Sequence, residues 1–289
     1  ENGTVNVEGT VYPLNDTFFP TIDPNNPYEL TEEERAVMNS LSASIINSER
    51  LQTHIRYMFS HGSLYKRING NLLFHGCIPM DENGDFLPVD IYGAKCAGRA
   101  LMEHLDKQIR ASYFTPEKIK KYGKAGDLMW YLWLAKNSPL FGKEKMTTFE
   151  RLFIDDKASH KEHVRPYYKL INSKEPCEKI LREFGLDPSH SKILNGHVPV
   201  KIKNGESPIK GGGLLYVIDG GISKAYQKQT GIAGYTFIFN SRFMALAEHK
   251  PYEPLREDGT QKFFSPSIKT VDTLKTRMLV IDTDEGAEL

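Results

Sequence analysis

Two short apolar runs each lead into a histidine loop that contains a glycine and closes on a proline. Leu72-Leu73-Phe74 runs into His75-Gly76-Cys77-Ile78-Pro79, and Ile193-Leu194 runs into Asn195-Gly196-His197-Val198-Pro199. Ligands in α/β sheets gather outside the carboxyl ends of the strands, where loops sit on a rigid scaffold. Two imidazoles delivered from two such ends are the nitrogen donors a metal site needs. A single strand-end histidine is most often a structural hydrogen-bonding residue, so the signal is the pair. Two imidazoles alone favour Zn²⁺, Ni²⁺ or Cu²⁺, whereas hard cations such as Mn²⁺ and Mg²⁺ require oxygen ligands beside them. Ser159-His160-Lys161-Glu162-His163 also holds two histidines three apart, but Lys161 and Arg165 mark that stretch as solvated surface.

Past the second loop come Gly205-Glu206-Ser207-Pro208-Ile209-Lys210-Gly211-Gly212-Gly213 and Leu214-Leu215-Tyr216-Val217-Ile218-Asp219-Gly220-Gly221. The triple glycine lacks P-loop spacing and precedes a strand, so it is expected to be a flexible turn. Gly220-Gly221 permits close backbone approach at a strand end. Lys201, Lys203, Lys210 and Lys224 surround these loops; Lys201, Lys210 and Lys224 are candidate contacts to an anionic substrate, although each taken alone is more often a solvated surface lysine. Cys77 lies two residues from His75 and is expected to be a small packed loop residue, with no base placed to activate it.

The ordered runs HGCIPMD, NGHVPVK, GESPIKGGG, YVIDGGISKAYQ and TGIAGYTFIFNS resemble the Firmicutes-type (class III) fructose-1,6-bisphosphatases, of the calcineurin-like metallophosphoesterase superfamily. The resemblance is dense over 71–79 and 193–251 and looser between. It implies that His75 and His197 ligate metal in a binuclear Mn²⁺ (or other divalent-cation) centre, whose metal-bound hydroxide releases phosphate from fructose 1,6-bisphosphate, a step of gluconeogenesis. The superfamily's Asp-x-His, Gly-Asp-x-x-Asp-Arg-Gly and Gly-Asn-His-Asp/Glu motifs are absent from the sequence; Asp155-Asp156 before His160 does not fit them. The chain is therefore expected to be the C-terminal half of a calcineurin-like α/β fold, a mixed sheet with flanking helices and a helical insertion. It would be inactive alone, and its partner would be an N-terminal half carrying the carboxylates. Two alternatives stand beside this: a protein Ser/Thr phosphatase relative, and a non-catalytic metabolite-binding or assembly module.

Lysine plus arginine equals aspartate plus glutamate, 37 against 37, which gives no electrostatic case for nucleic acid or an anionic membrane. The longest apolar run, Leu128–Ala135, falls far short of the roughly 20 residues that span a bilayer. Three widely spaced cysteines, Cys77, Cys96 and Cys177, fit a reduced cytoplasm and not a disulfide framework.

Four segments must position these residues. Residues 1–30 read as an irregular arm with a strand-like run at Gly9–Leu14, and 31–94 as the first part of the α/β half. In the latter, Thr31-x-x-Glu34 is a capping box, the helical stripe breaks near Ser42–Ser44, and Gly62 closes it. Residues 95–190 read as a helical insertion. It holds a face of Ala97, Ala100, Leu101, Leu105 and Ile109, an N-terminus at Thr115-Pro116-Glu117, and a second capping box at Thr147-x-x-Glu150. The run with Trp130, Tyr131 and Trp133 should be deeply packed, and a last helix should stop at Gly185. Residues 191–289 return to α/β with strands at Lys192–Leu194, Leu214–Ile218, Tyr235–Asn240 and Arg277–Asp282. A half-fold of this kind exposes an apolar sheet face, which a homo-oligomer would cover.

Overall fold

The computed structural model describes residues 3–116, 124–221, 223–250, 258–259 and 265–289, without the side chains of 124, 125, 224 and 225. The chain divides into two compact units, Glu1–Ser63 with Lys145–His163, and Leu64–Glu144 with Val164–Leu289.

In the first unit β1 (Thr4–Val7) and β2 (Thr10–Pro13) form an antiparallel hairpin, so the expected arm carries regular structure at its start. Thr31 and Glu34 make the capping box reciprocally and open the helix Glu32–Ile46. The break falls at Asn47-Ser48, later than the sequence suggests. There the Ser48 side chain accepts from the Leu51 N–H and starts a second helix, Glu49–His61, which Gly62 ends in an extended conformation. The helix Thr148–Phe153 lacks the expected capping box: Thr147 Oγ1 lies 3.0 Å from Glu162 Oε1 and does not cap its own helix. His160 is structural, with Nε2 2.7 Å from the Ile154 carbonyl oxygen.

The second unit contains β3 (Tyr65–Ile68), β4 (Asn71–Phe74), β5 (Val89–Ile91), β6 (Ala94–Cys96), β7 (Ile193–Asn195), β8 (Ile209–Lys210), β9 (Leu215–Val217), β10 (Gly234–Phe239), β11 (Phe243–His249) and β12 (Ser267–Thr273). A five-stranded mixed sheet runs β3-β4-β7-β9-β8. Its middle strands β4, β7 and β9 are parallel, and β3 and β8 pair antiparallel at the edges. Parallel strands are covered on both faces and so read as continuous apolar runs; β7 and β9 are buried throughout. The same hydrophobic cluster takes in Leu101, Met102 and Leu105 of the helix Gly98–Phe114 and Cys177, Ile180 and Leu181 of the helix Lys174–Glu183. Each such aliphatic side chain contributes about 1.5–3 kcal/mol on burial. Gly185, left-handed at φ 71°, stops the second of these helices as expected.

Several expectations are corrected. Leu128 and Leu132 are buried, but Trp130 and Trp133 on the same helix (Lys124–Leu134) are each 59% exposed, so only one face of that apolar run packs. Arg277–Asp282 forms no strand; it ends in a 3₁₀ turn, Val280–Asp282, with Leu279, Val280 and Ile281 exposed. The third partner in the β10-β11-β12 sheet is instead Ser267–Thr273. Gly211–Gly213 is a 3₁₀ turn packed at its first residue, where a Cβ on Gly211 would collide with Cys177 Sγ. The helix expected from Thr115-Pro116-Glu117 runs into residues outside those described; Thr115 itself closes the Gly98–Phe114 helix.

Candidate metal centre

The parallel pairing Leu72↔Ile193 and Leu73↔Leu194 brings the carboxyl ends of β4 and β7 side by side. The loops that follow are tied at once, because the Gly196 N–H donates to the His75 carbonyl at 2.8 Å. The two imidazoles consequently meet, with His75 Nε2 3.1 Å from His197 Nδ1. Glycine is required on the first loop: a Cβ on Gly76 would lie 2.5 Å from the Pro139 carbonyl oxygen. His197 sits at φ 68° inside a three-residue turn closed by Val198 N–H to the Gly196 carbonyl, 2.8 Å. That left-handed turn is a rare and strained form for a side chain-bearing residue, costing on the order of 1–3 kcal/mol.

The second nitrogen of His197, Nε2, donates to the Phe141 carbonyl at 2.8 Å. A carbonyl can only accept, so this bond places the proton on Nε2 and leaves Nδ1 with a lone pair towards His75. Both histidines are held below the ordinary imidazole pKa. For His75 the causes are partial burial first and the His197 charge second, with Asp219 opposing. For His197 burial comes first, the Phe141 carbonyl opposes it, Lys143 adds to the lowering, and Asp219 opposes. Two neutral imidazoles near pH 7 are in the ligating state.

Asp219 stands two residues beyond the third parallel strand, with the Ile218 N–H on the Asn195 carbonyl at 2.9 Å and the Val200 N–H on the Asp219 carbonyl at 2.9 Å. Its carboxylate accepts from the Gly221 N–H at 2.7 Å. Sequence reasoning passed over Asp219, although it follows its apolar run as the histidines follow theirs. It also passed over Lys143 and the Phe141 carbonyl, which reach the pair from a loop no motif marks. Among the described residues no group of three or more His, Cys, Asp or Glu side chains is arranged to hold a metal ion. The donor set fits the nitrogen side of a divalent-metal centre, with a second-sphere carbonyl in place, and leaves the oxygen ligands to be supplied.

The three candidate lysines stand on separate segments. Lys201 is exposed on the loop after Pro199, its N–H donating to Glu206 at 2.9 Å. Lys210 pairs with Leu215, at the end of β9 away from Asp219, and its ammonium donates to Asn172 at 3.0 Å. Lys224 opens the helix Lys224–Thr230, and its side chain lies outside the description. Cys77 is fully packed, with Sγ 3.8 Å from the Ser138 carbonyl, and burial pushes its thiol up to about 12. It is inert beside the histidines and serves packing.

The Firmicute fructose-1,6-bisphosphatase family model matches residues 1–289. The chain belongs to the Firmicute fructose-1,6-bisphosphatase family. It is 49% identical over 292 residues to the fructose-1,6-bisphosphatase class 3 of Fusobacterium nucleatum, covering 100% of this chain and 45% of that protein. The proteins of the same name from Clostridium botulinum (52% over 294 residues) and Clostridium tetani (50% over 293 residues) are each matched by the whole chain over 44% of their length. The chain thus spans less than half the length of these relatives. Because the family match runs along residues 1–289, it does not support the expectation that the chain is a C-terminal part. No solved structure gives a significant match.

Proposed function

We propose that this chain contributes the histidine side of the metal centre in a fructose-1,6-bisphosphate 1-phosphatase of gluconeogenesis. The observation that carries the reading is the meeting of His75 and His197 at the ends of adjacent parallel strands, 3.1 Å apart, in a chain about half identical to proteins named for that activity. A divalent cation held there would act as a Lewis acid, activating water and neutralising the phosphoryl oxygens.

The chain's own part is to hold two neutral nitrogen donors in place. His197 is oriented by Phe141, and His75 is fixed by the grip of the second loop on its backbone. Asp219 contributes negative charge beside the pair, favouring a cation there. Two imidazoles without carboxylates are a poor match to Mn²⁺; the oxygen ligands that complete a binuclear Mn²⁺ centre are assigned to sequence the longer relatives carry beyond the matched stretch. Under this reading the mixed sheet is part of a calcineurin-like fold acting on a sugar bisphosphate in the cytoplasm. Lys201, Lys210 and Lys224 remain candidate phosphate contacts, of which Lys201 lies nearest the second histidine in sequence. An alternative role as a non-catalytic module is separated by the same assay.

The test is phosphate release from fructose 1,6-bisphosphate with Mn²⁺, comparing these 289 residues with a chain of the relatives' length. Activity in the longer chain alone is expected. Folded but inactive protein in both forms overturns the reading in favour of the module.

A further inference from the structure

We infer that Asn195 is a positioning residue that sets how His75 and His197 face each other. Asn195 is the last residue of β7, two before His197, and is 2% exposed. Its Nδ2 donates to the Gly76 carbonyl at 3.1 Å and to the Tyr167 hydroxyl at 2.8 Å. The next residue, Gly196, donates its N–H to the His75 carbonyl. Two consecutive residues of the second histidine loop therefore hold two consecutive carbonyls of the first, those of His75 and Gly76. The first loop is also held from the Pro139 side, because the Cys77 N–H donates to the Pro139 carbonyl at 2.9 Å.

The amide is held at a cost. Asn195 Oδ1 is buried with no hydrogen-bond partner, a penalty of the kind that buried polar groups in native proteins rarely carry. A packing role alone would be met by an apolar side chain of similar size. The donor half of the amide is what the site uses, and Tyr167, fully buried, fixes its orientation. Side chains that orient ligating histidines from behind change metal affinity by about 10–100-fold when removed. The positioning role itself needs no metal; only its consequence for affinity rests on the metal reading proposed above.

The experiment compares wild type, Asn195→Ala and Tyr167→Phe, with folding checked by circular dichroism. Imidazole ¹⁵N resonances of the metal-free proteins report the His75–His197 contact directly, and a Zn²⁺ titration, read against His197→Ala, reports affinity. Asn195→Ala is expected to abolish the hydrogen-bonded imidazole signals and to weaken Zn²⁺ binding about 10–100-fold. Tyr167→Phe, which keeps the core filled, is expected to move both readouts the same way by less, and it decides the matter if Asn195→Ala does not fold. Unchanged imidazole signals in the folded variants overturn the inference. Broken imidazole contact in a chain whose wild type binds no Zn²⁺ upholds the positioning role, and the same titration on a chain of the relatives' length then decides the metal reading: no binding there overturns it.

Discussion

At the scale of single residues, the site is built by close approach. Gly76 has no room for a methyl group, since a Cβ would press on the Pro139 carbonyl that also anchors Cys77. Gly76→Ala is expected to destabilise the protein by about 1–3 kcal/mol, the usual cost of forcing backbone apart in a packed region, read as a lower denaturation midpoint; an unchanged midpoint contradicts the geometry. The cysteines give a second check. Burial raises Cys77 and Cys177 each to about 12, while Cys96 is only half-buried. Native protein should therefore react rapidly with a thiol reagent at one site, Cys96, and at all three cysteines once denatured; fast labelling of Cys77 would refute the packing. The two histidines were legible in the sequence because a polar residue after an apolar run is a strong signal. Asp219 carried the same signal and was read only through its glycines. Phe141 could not have been found, since it acts through a backbone carbonyl that any residue would supply.

At the scale of elements, periodicity located the buried strands and the helix ending at Gly185, and failed where tertiary pairing decides. Phe243–His249 contains Ala, Leu and Glu, which favour helix, yet it is a strand because β10 and β12 flank it on both sides. Arg277–Asp282 has the apolar content of a strand but no neighbour to pair with among the described strands. The run holding Trp130 and Trp133 was read as apolar all round, and the structure packs one side only. These are the chain's 2 tryptophans, so native fluorescence should be quenched readily by acrylamide and change little on unfolding. A strongly blue-shifted, protected emission would contradict their exposure. A further prediction concerns β12, which is joined to Lys192 before β7 through Asp272 at 2.6 Å. The Lys192 ammonium is the main cause holding the Asp272 carboxyl below its usual pKa. A carboxyl depressed on folding contributes stability above its unfolded pKa, about 3.9, and loses that contribution as pH falls through the native value. Asp272→Asn should therefore lower the urea midpoint at pH 7, with the difference closing below about pH 4. A difference that persists undiminished at lower pH would show that charge is not its source.

At the scale of the whole molecule, the main hydrophobic cluster lies within the unit Leu64–Glu144 with Val164–Leu289. That unit contains both histidine strands and the helices Gly98–Phe114 and Lys174–Glu183, whose buried side chains join the same cluster. Deleting one buried side chain there, as in Leu101→Ala, should cost about 2–5 kcal/mol and is expected to loosen the histidine loops along with the sheet. The mixed sheet and its flanking helices were readable from the sequence. The order of its strands was not, because the choice of β8 as an edge depends on where the chain turns at Gly211. Family membership joins this architecture to relatives more than twice as long. The proposal for these residues is that His75 and His197, which meet 3.1 Å apart, hold metal. The most direct measurement is metal content and phosphate release from fructose 1,6-bisphosphate by His197→Ala, in a chain of the relatives' length. A folded variant with depleted metal and turnover reduced at least about 100-fold is the expected result; wild-type turnover with full metal content would contradict the account.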